Sequence, residues 1–183
     1  MKIKLFEGRP SDTSTREDRE VKVYDFLDSL GINYSHTDHA PAMTMEDCAA
    51  VDEILGVVMC KNLFLCNRQK SMFYLLLIPG DKPFRTKEFS SALGISRVSF
   101  ADEDAMQNHL GLLPGSVSVM GLMNDTDGEV QLVIDKDVIR SEYIGCHPCV
   151  NTSSIKVKTA DILEKFLPAV KHSPVYVELT GEG

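Results

Sequence analysis

Residues 60–80 read CKNLFLCNRQKSMFYLLLIPG. Two apolar stretches, "VVMCKNLFLCN" at 57–67 and "SMFYLLLIPG" at 71–80, flank the polar turn "NRQK". Short apolar runs bounded by turn residues predict two strands joined at that turn. The run "MFYLLLIPG" at 72–80 is the longest apolar candidate and falls far short of the ~18 residues a membrane span needs. It reads as a buried strand.

Upstream, Val23, Phe26, Leu27 and Leu30 recur at helical spacing within residues 16–30. Ser14 or Thr15 is expected to cap that helix and Gly31 to stop it. "INYSHTDH" at 32–39 predicts a short strand. Thr44 is expected to cap the helix "MEDCAAVDEILG", which Gly56 ends. Downstream, a helix runs from Thr86 through Leu93 and closes at Gly94. The short strand "RVSFA" follows, and then the helix "DEDAMQNHLG", whose first-turn acids suit the helix dipole. "SVSVMGLMN" at 116–124 and "EVQLVIDKDV" at 129–138 predict two strands joined through the turn "DTDG". "EYIGCHP" and "SSIKVK" predict two more, Thr159 is expected to cap "ADILEKFLPAV", and "VYVEL" supplies a last strand. With strands outnumbering helices and no strict βαβ alternation, the expected class is mixed α/β. Its expected architecture is a curved, largely antiparallel central sheet or partial barrel flanked by helices. Residues 1–183 read as a single domain, with no repeat or linker.

The chain is 43% hydrophobic and 25% charged, with a formal net charge of −8. That acidity disfavours broad nucleic-acid binding, since phosphate contacts need Lys and Arg. The charge is unevenly spread, however. Residues 61–87 hold six basic residues, Lys61, Arg68, Lys70, Lys82, Arg85 and Lys87, against Asp81 alone. Such a local patch fits a small anionic contact, such as one end of an RNA; the ordinary alternative is a solvated face. The N-terminal residues carry no signal-peptide pattern, and the expected location is cytoplasmic.

Five cysteines, an odd number, argue against a disulfide framework. Cys146 and Cys149 form a Cys-x-x-Cys pair around His147 and Pro148. A redox dithiol normally sits at a helix N-terminus, which lowers the thiol pKa, and the β-branched "VNTSSIKVK" that follows is strand-like. A zinc site would need a second pair, from Cys60 and Cys66 or His36 and His39. Cys60 and Cys66 share one strand face, where buried cysteine commonly serves as an apolar filler. A metal site is therefore not expected from these residues. Three other features are candidates for chemistry. Lys61, beside Asn62 in an apolar strand, is either an edge lysine that snorkels outward or a cation aimed into a pocket to meet a phosphate or carboxylate. Gly111, Pro114 and Gly115 mark a tight turn that can bring backbone N–H groups to a ligand. His147, ahead of Asn151, Thr152 and Ser153, can donate and accept. His36, His39, His109 and His172 have no partner that the sequence names.

Together, "KNLFL", "LGLLPGSVS…GLMND" and "HPCVNTSS" resemble the YbaK/prolyl-tRNA synthetase-associated domain family, closest to its free-standing ProX/PrdX-like prolyl-tRNA editing branch. The resemblance implies a cofactor-free trans-editing deacylase. Such an enzyme hydrolyses the ester of mischarged tRNA(Pro), here alanyl-tRNA(Pro). Lys61 matches the family lysine that meets the terminal adenosine phosphate, and His147 the histidine of the aminoacyl pocket. These two are the expected catalytic residues. Asn62, Gly115, Ser116, Val117, Ser118, Cys146 and Asn151 are the expected substrate-binding ones. The implied partner is the acceptor end of tRNA(Pro), with prolyl-tRNA synthetase open as a second; no membrane or DNA partner is implied. The departure is Val119, which stands where the family has proline. A less rigid loop is then expected, and with it the alternative of a non-catalytic tRNA- or amino-acid-binding homologue.

Overall fold

The hairpin at 60–80 forms and organises the molecule. In the computed structural model, which describes residues 3–41 and 45–182, strands β3 (Cys60–Cys66) and β4 (Phe73–Pro79) pair antiparallel from Cys60↔Pro79 to Cys66↔Phe73. Asn67 Oδ1 accepts from the backbone N–H groups of Ser71 and Met72, and Lys70 takes a left-handed φ of 53°, which closes the turn. β4 is then paired on its other side with β6 (Val130–Asp135), in parallel. A central strand buried on both faces needs an uninterrupted apolar run, and this is what "FYLLLI" supplies.

Two sheets result. The first has the order β5-β3-β4-β6-β9, with β5 at Ser99–Phe100 and β9 at Val175–Val177. The second is antiparallel, β1-β2-β8-β7, built from Leu5–Glu7, Tyr34–Asp38, Ser153–Lys158 and Tyr143–Cys146. The expected mixed α/β class stands. The largely antiparallel sheet is divided into two leaves, joined at one edge by an isolated bridge between Met59 and Gly145. A Cβ on Gly145 would lie 2.9 Å from Met59 Sδ, so glycine permits that close approach.

Strand alternation decides which side chains go where. Phe64 and Cys66 of β3, Phe73, Leu75 and Leu77 of β4, and Leu132 and Ile134 of β6 face the second sheet. There they pack with Tyr34, Ile144, Ile155 and Val157. Leu65, Tyr74, Leu76, Ile78 and Val133 face the other way, onto Phe89 of helix α3 (Thr86–Leu93). Cys60 and Asn62 therefore share the inter-sheet side, and Lys61 and Leu63 the α3 side.

Helix α1 (Asp18–Ser29) buries Val23, Tyr24 and Leu27, and Gly31 ends it at φ 67° as expected. Its cap differs from expectation. Glu17 is the N-cap and makes no side-chain cap bond, whereas Ser14 and Thr15 lie upstream. Arg16 instead fixes the helix start, donating to Glu20 at 2.8 Å and to both Asp38 oxygens at 2.8 and 2.9 Å. Helix α2 (Met45–Leu55) ends at Gly56, φ 70°, as expected, and the anticipated cap Thr44 lies outside the described residues. Helix α4 (Glu103–Leu110) is capped by Asp102, whose side chain accepts from Ala105 N–H.

Two expectations fail further along. Residues 119–124 form a 3-10 helix, Val119–Asn124, in place of a strand. Val119, Met120, Gly121 and Leu122 are all buried in succession, a pattern that a short apolar run shares with a buried strand. The choice is made by Ser118, whose Oγ accepts from Met120 N–H, and by Gly121, where a Cβ would sit 2.8 Å from Leu112. "DTDG" is still a turn, Gly128 N–H donating to Asp125 O, but it joins this helix to β6. Thr159 does not cap the last helix, residues 159–169; its hydroxyl donates to Ser141 O at 2.6 Å, and the N-cap is Lys158. No helix among the described residues is long and apolar enough to cross a membrane.

Candidate functional site: a cavity at the seam of the two sheets

Where β2, β3 and the β7–β8 loop meet, a cavity of about 270 Å³ opens. His39, Gly115, His147, Asn151 and Ser154 supply its polar wall, and Val51, Met59 and Cys60 its apolar one. Local structure explains the convergence. His39 directly follows β2 and donates its N–H to Thr152 O at 3.0 Å, which ties it to the loop carrying Asn151. Ser153 Oγ donates to Thr37 O, and it also bonds Asp38, itself held by Arg16. The Arg16 guanidinium keeps the Asp38 carboxyl below its ordinary value. Gly115 takes φ 85°, a region glycine enters without strain, and stands close enough to Asn151 that a Cβ would touch its Nδ2 at 3.5 Å.

His147 has a defined tautomer. Its Nδ1 lies 2.9 Å from Ser153 O, and a carbonyl only accepts, so Nδ1 carries the proton. In the neutral ring the lone pair is then on Nε2, which has no partner among the described residues. Burial pushes the His147 pKa down from 6.5, the nearby His39 adds to this, and the Ser153 bond opposes it. His39 is set similarly: Nδ1 donates to Ala40 O at 2.8 Å, and Nε2 accepts from Ser154 Oγ at 2.8 Å. The two rings lie 6.3 Å apart with Ser154 Oγ between them, 3.5 Å from His147 Nδ1.

Of the expected site residues, His147, Gly115 and Asn151 line this cavity. Ser118 and Asn62 do not, but they hold its walls. Ser118 Oγ donates to His147 O at 2.6 Å, and Asn62 Oδ1 accepts from Val119 N–H at 2.8 Å. Ser116 is buried and spends its hydroxyl within the turn, on Leu113 O; Val117 packs against the core. Cys146 is 1% exposed and lies behind the cavity, while Cys60 lines it. Lys61 is not in the cavity either. It points to the α3 side of β3, and its Nζ donates to Lys82 O at 2.6 Å. The sequence assigned none of His39, Ser154, Cys48, Val51, Met59 and Cys60 to a substrate cavity, and all six line it. Of these, only His39 and Cys60 carried a visible signal, and that signal was for a metal pair.

The thiols fit a packing role. Burial raises Cys146 and Cys149, the latter to about 12, away from nucleophilic thiolates. Among the described residues no group of three or more His, Cys, Asp or Glu is placed to hold a metal ion.

Val119 does something proline cannot: it gives its N–H to Asn62. We expect Val119→Pro to remove that bond and strand the Asn62 carbonyl, costing about 1 kcal/mol or more. For a chain of this size that is a fall in Tm of about 2–4 °C, readable by thermal denaturation. A Tm equal to or above that of the unmodified chain would show that the bond contributes nothing.

The fold and cavity define a class, a mixed α/β domain with a small, half-apolar pocket built around a neutral histidine. Residues 39–165 match the model of the aminoacyl-tRNA editing domain, and the chain belongs to that family. It is 32% identical over 162 residues to the prolyl-tRNA editing protein ProX of Acetoanaerobium sticklandii, covering 88% of this chain and 98% of that one. It is 29% identical over 160 residues to prolyl-tRNA synthetase associated domain-containing protein 1 of Danio rerio, covering 86% of each. A solved structure described as a proposed trans-editing enzyme for prolyl tRNA synthetase superposes with a TM-score of 0.64 at 12% identity. It covers 92% of this chain and 100% of that one, a likeness of fold.

Proposed function

We propose that the protein is a trans-editing deacylase that hydrolyses alanyl-tRNA(Pro) in the cytoplasm, receiving the tRNA by its acceptor end. The observation that carries this reading is the joint placement of His147, Gly115 and Asn151 around one cavity in a member of the editing-domain family. An aminoacyl ester is already activated, so the site needs no strong nucleophile; it must hold the ester and a water in register. Backbone at the Gly115 turn and the Asn151 amide are the polar groups available to the ester carbonyl as it gains charge. The Val51, Met59 and Cys60 wall accepts a small aliphatic side chain and limits its size, as a second sieve does where attraction alone discriminates poorly. In this reading Lys61 serves the nucleotide side of the substrate and leaves the aminoacyl side to His147.

The test is a deacylation assay with alanyl-, cysteinyl-, seryl- and prolyl-tRNA(Pro). We expect alanine to be released well above the buffer rate and prolyl-tRNA to persist. Alanine release no faster than in buffer, with the tRNA still bound, would assign the protein to the non-catalytic reading that Val119 motivates.

A further inference from the structure

Two imidazoles stand in the polar wall of the cavity, and the proposed chemistry uses only His147. His39 is the other, a buried ring 6.3 Å away. Between them lies the fully buried hydroxyl of Ser154, 2.8 Å from His39 Nε2 and 3.5 Å from His147 Nδ1. A hydroxyl has one proton to give. Which ring receives it bears on the tautomer of His147.

The direction follows from the two ends of this chain of bonds. Ala40 O, 2.8 Å from His39 Nδ1, only accepts, so Nδ1 carries the proton and Nε2 the lone pair. Ser154 therefore donates to His39 and turns only lone pairs toward His147. Ser153 O, 2.9 Å from His147 Nδ1, is a second acceptor. One N–H thus faces two acceptors and no donor, and the partner of one ring nitrogen sets the state of the other. For His147 to move its proton to Nε2, Nδ1 would need a donor. The Ser154 hydroxyl is the donor at hand, and turning it would leave His39 Nε2 a buried acceptor without a partner.

We propose that His39 is a positioning residue: it holds the Ser154 hydroxyl turned away from His147, so that His147 keeps its proton on Nδ1 and its lone pair on Nε2. This rests on the editing reading above for its consequence in turnover, whereas the effect on the ring stands on geometry alone. The His39 backbone is tied separately, its N–H donating to Thr152 O at 3.0 Å, so side-chain variants leave that tie to the loop in place.

The test reads the ring directly. Long-range proton–nitrogen NMR spectra of isotope-labelled protein, taken without RNA at mildly alkaline pH where His147 is neutral, report which of its nitrogens is protonated. We expect Nδ1–H in the unmodified chain. His39→Ala releases the Ser154 hydroxyl to donate to Nδ1, and His147 should move toward the Nε2–H form. The kcat/KM for alanyl-tRNA(Pro) should fall in proportion to the competent ring that remains, about fivefold where about one ring in five keeps its Nδ1 proton. His39→Gln, whose amide oxygen takes the accepting place of Nε2, should hold the Nδ1–H form. His39→Ala/Ser154→Ala separates positioning from packing. With no hydroxyl left to donate, Ser153 O alone should return His147 to Nδ1–H, and kcat/KM should rise above that of the single variant. A residue that merely filled space would be worse off after the second truncation. Should His39→Ala not fold, His39→Leu keeps the ring's bulk without its acceptor and carries the same comparison. An unchanged His147 tautomer in the single variant, a double variant no nearer to Nδ1–H, or a shifted tautomer with undiminished deacylation would each overturn the proposal. A tautomer that shifts and returns as described, in a chain that releases no alanine, would uphold the role of His39 and sink the editing reading. Deacylation that survives in His39→Ala with the tautomer unchanged would do the reverse.

Discussion

His147→Ala is expected to lower kcat/KM for alanyl-tRNA(Pro) about 10- to 100-fold. The ring's Nδ1 proton is committed to Ser153 O, which leaves Nε2 as the acceptor of a histidine that lines the cavity. The donor it suits is the substrate's α-amino group, and a hydrogen bond to a charged partner contributes about 1.5–3 kcal/mol. The same geometry fixes a pH signature. Burial lowers the His147 pKa from 6.5, so the acceptor persists through neutral pH. Protonation removes it and sets a positive charge against the α-ammonium. The acid limb of kcat/KM should therefore fall with an apparent pKa below 6.5, and His147→Ala should erase that limb while lowering the plateau. A limb unchanged in the variant would assign the pH dependence to another group and leave His147 a packing residue.

Stability carries the same sign. A histidine whose pKa is depressed on folding binds its proton more readily in the unfolded chain. Its contribution is complete above the unfolded value of 6.5 and is lost as pH falls from there through the folded value. Asp38, depressed by the Arg16 guanidinium, adds a second loss in the same direction, below its ordinary 3.8. Both groups lie where β2 and the β7–β8 loop are fastened together, so acid should loosen the cavity wall that carries His39 and Asn151.

The hairpin at 60–80 was legible because both of its signals were local: apolar runs of strand length and a polar turn between them. Glycines 31, 56 and 94 stopped helices where the sequence placed them, since a left-handed C-terminal residue is a local requirement. Residues 116–124 were misread for the opposite reason. Their β-branched and apolar composition fits a strand, while their conformation is set by the Ser118 cap together with partners outside the segment, Asn62 at Val119 N–H and Leu112 against Gly121. The helix caps failed similarly. Arg16 reaches across to Asp38, and Thr159 to Ser141, and neither bond is visible from neighbours in the chain.

The site divides along the same line. His147 and Gly115 were legible through family motifs, and Asn151 through its place behind the histidine. Lys61 was legible as an anomaly, a cation in an apolar strand, but that anomaly carries no direction by itself. Strand parity alone sets Lys61 with Leu63 and Leu65, away from Cys60 and Asn62. Parity could have predicted that Lys61 and His147 serve opposite faces, given Cys60 as a cavity residue. His39 and Ser154 lie 115 positions apart, and only the pairing of β2 with β8 brings them to one hydroxyl.

The largest expected stability effect falls on the residue that anchors Lys61. Lys82 Nζ donates to Asp135 at 2.8 Å, to Asp137 at 2.6 Å and to Leu179 O at 2.7 Å. The Asp135 side chain is 1% exposed, at the end of β6, where its other oxygen accepts from Asp137 N–H and starts the helix Lys136–Arg140. Lys82→Met keeps the stem and removes the charge, leaving a buried carboxylate with no cation. Breaking such a pair from one side costs about 3–5 kcal/mol, because the remaining charge stays desolvated. At about 2–4 °C per kcal/mol this is a fall in Tm on the order of 10 °C. Pairing the change with Asp135→Asn should recover much of it, since an amide needs no counter-charge. Failure of the double variant to recover would show that Lys82 acts through the Leu179 carbonyl and the C-terminal segment. The backbone of Lys82 also supplies the carbonyl that holds Lys61 Nζ. If the network orients that lysine, the single variant should weaken RNA binding as well as stability, and the double variant should restore the two together.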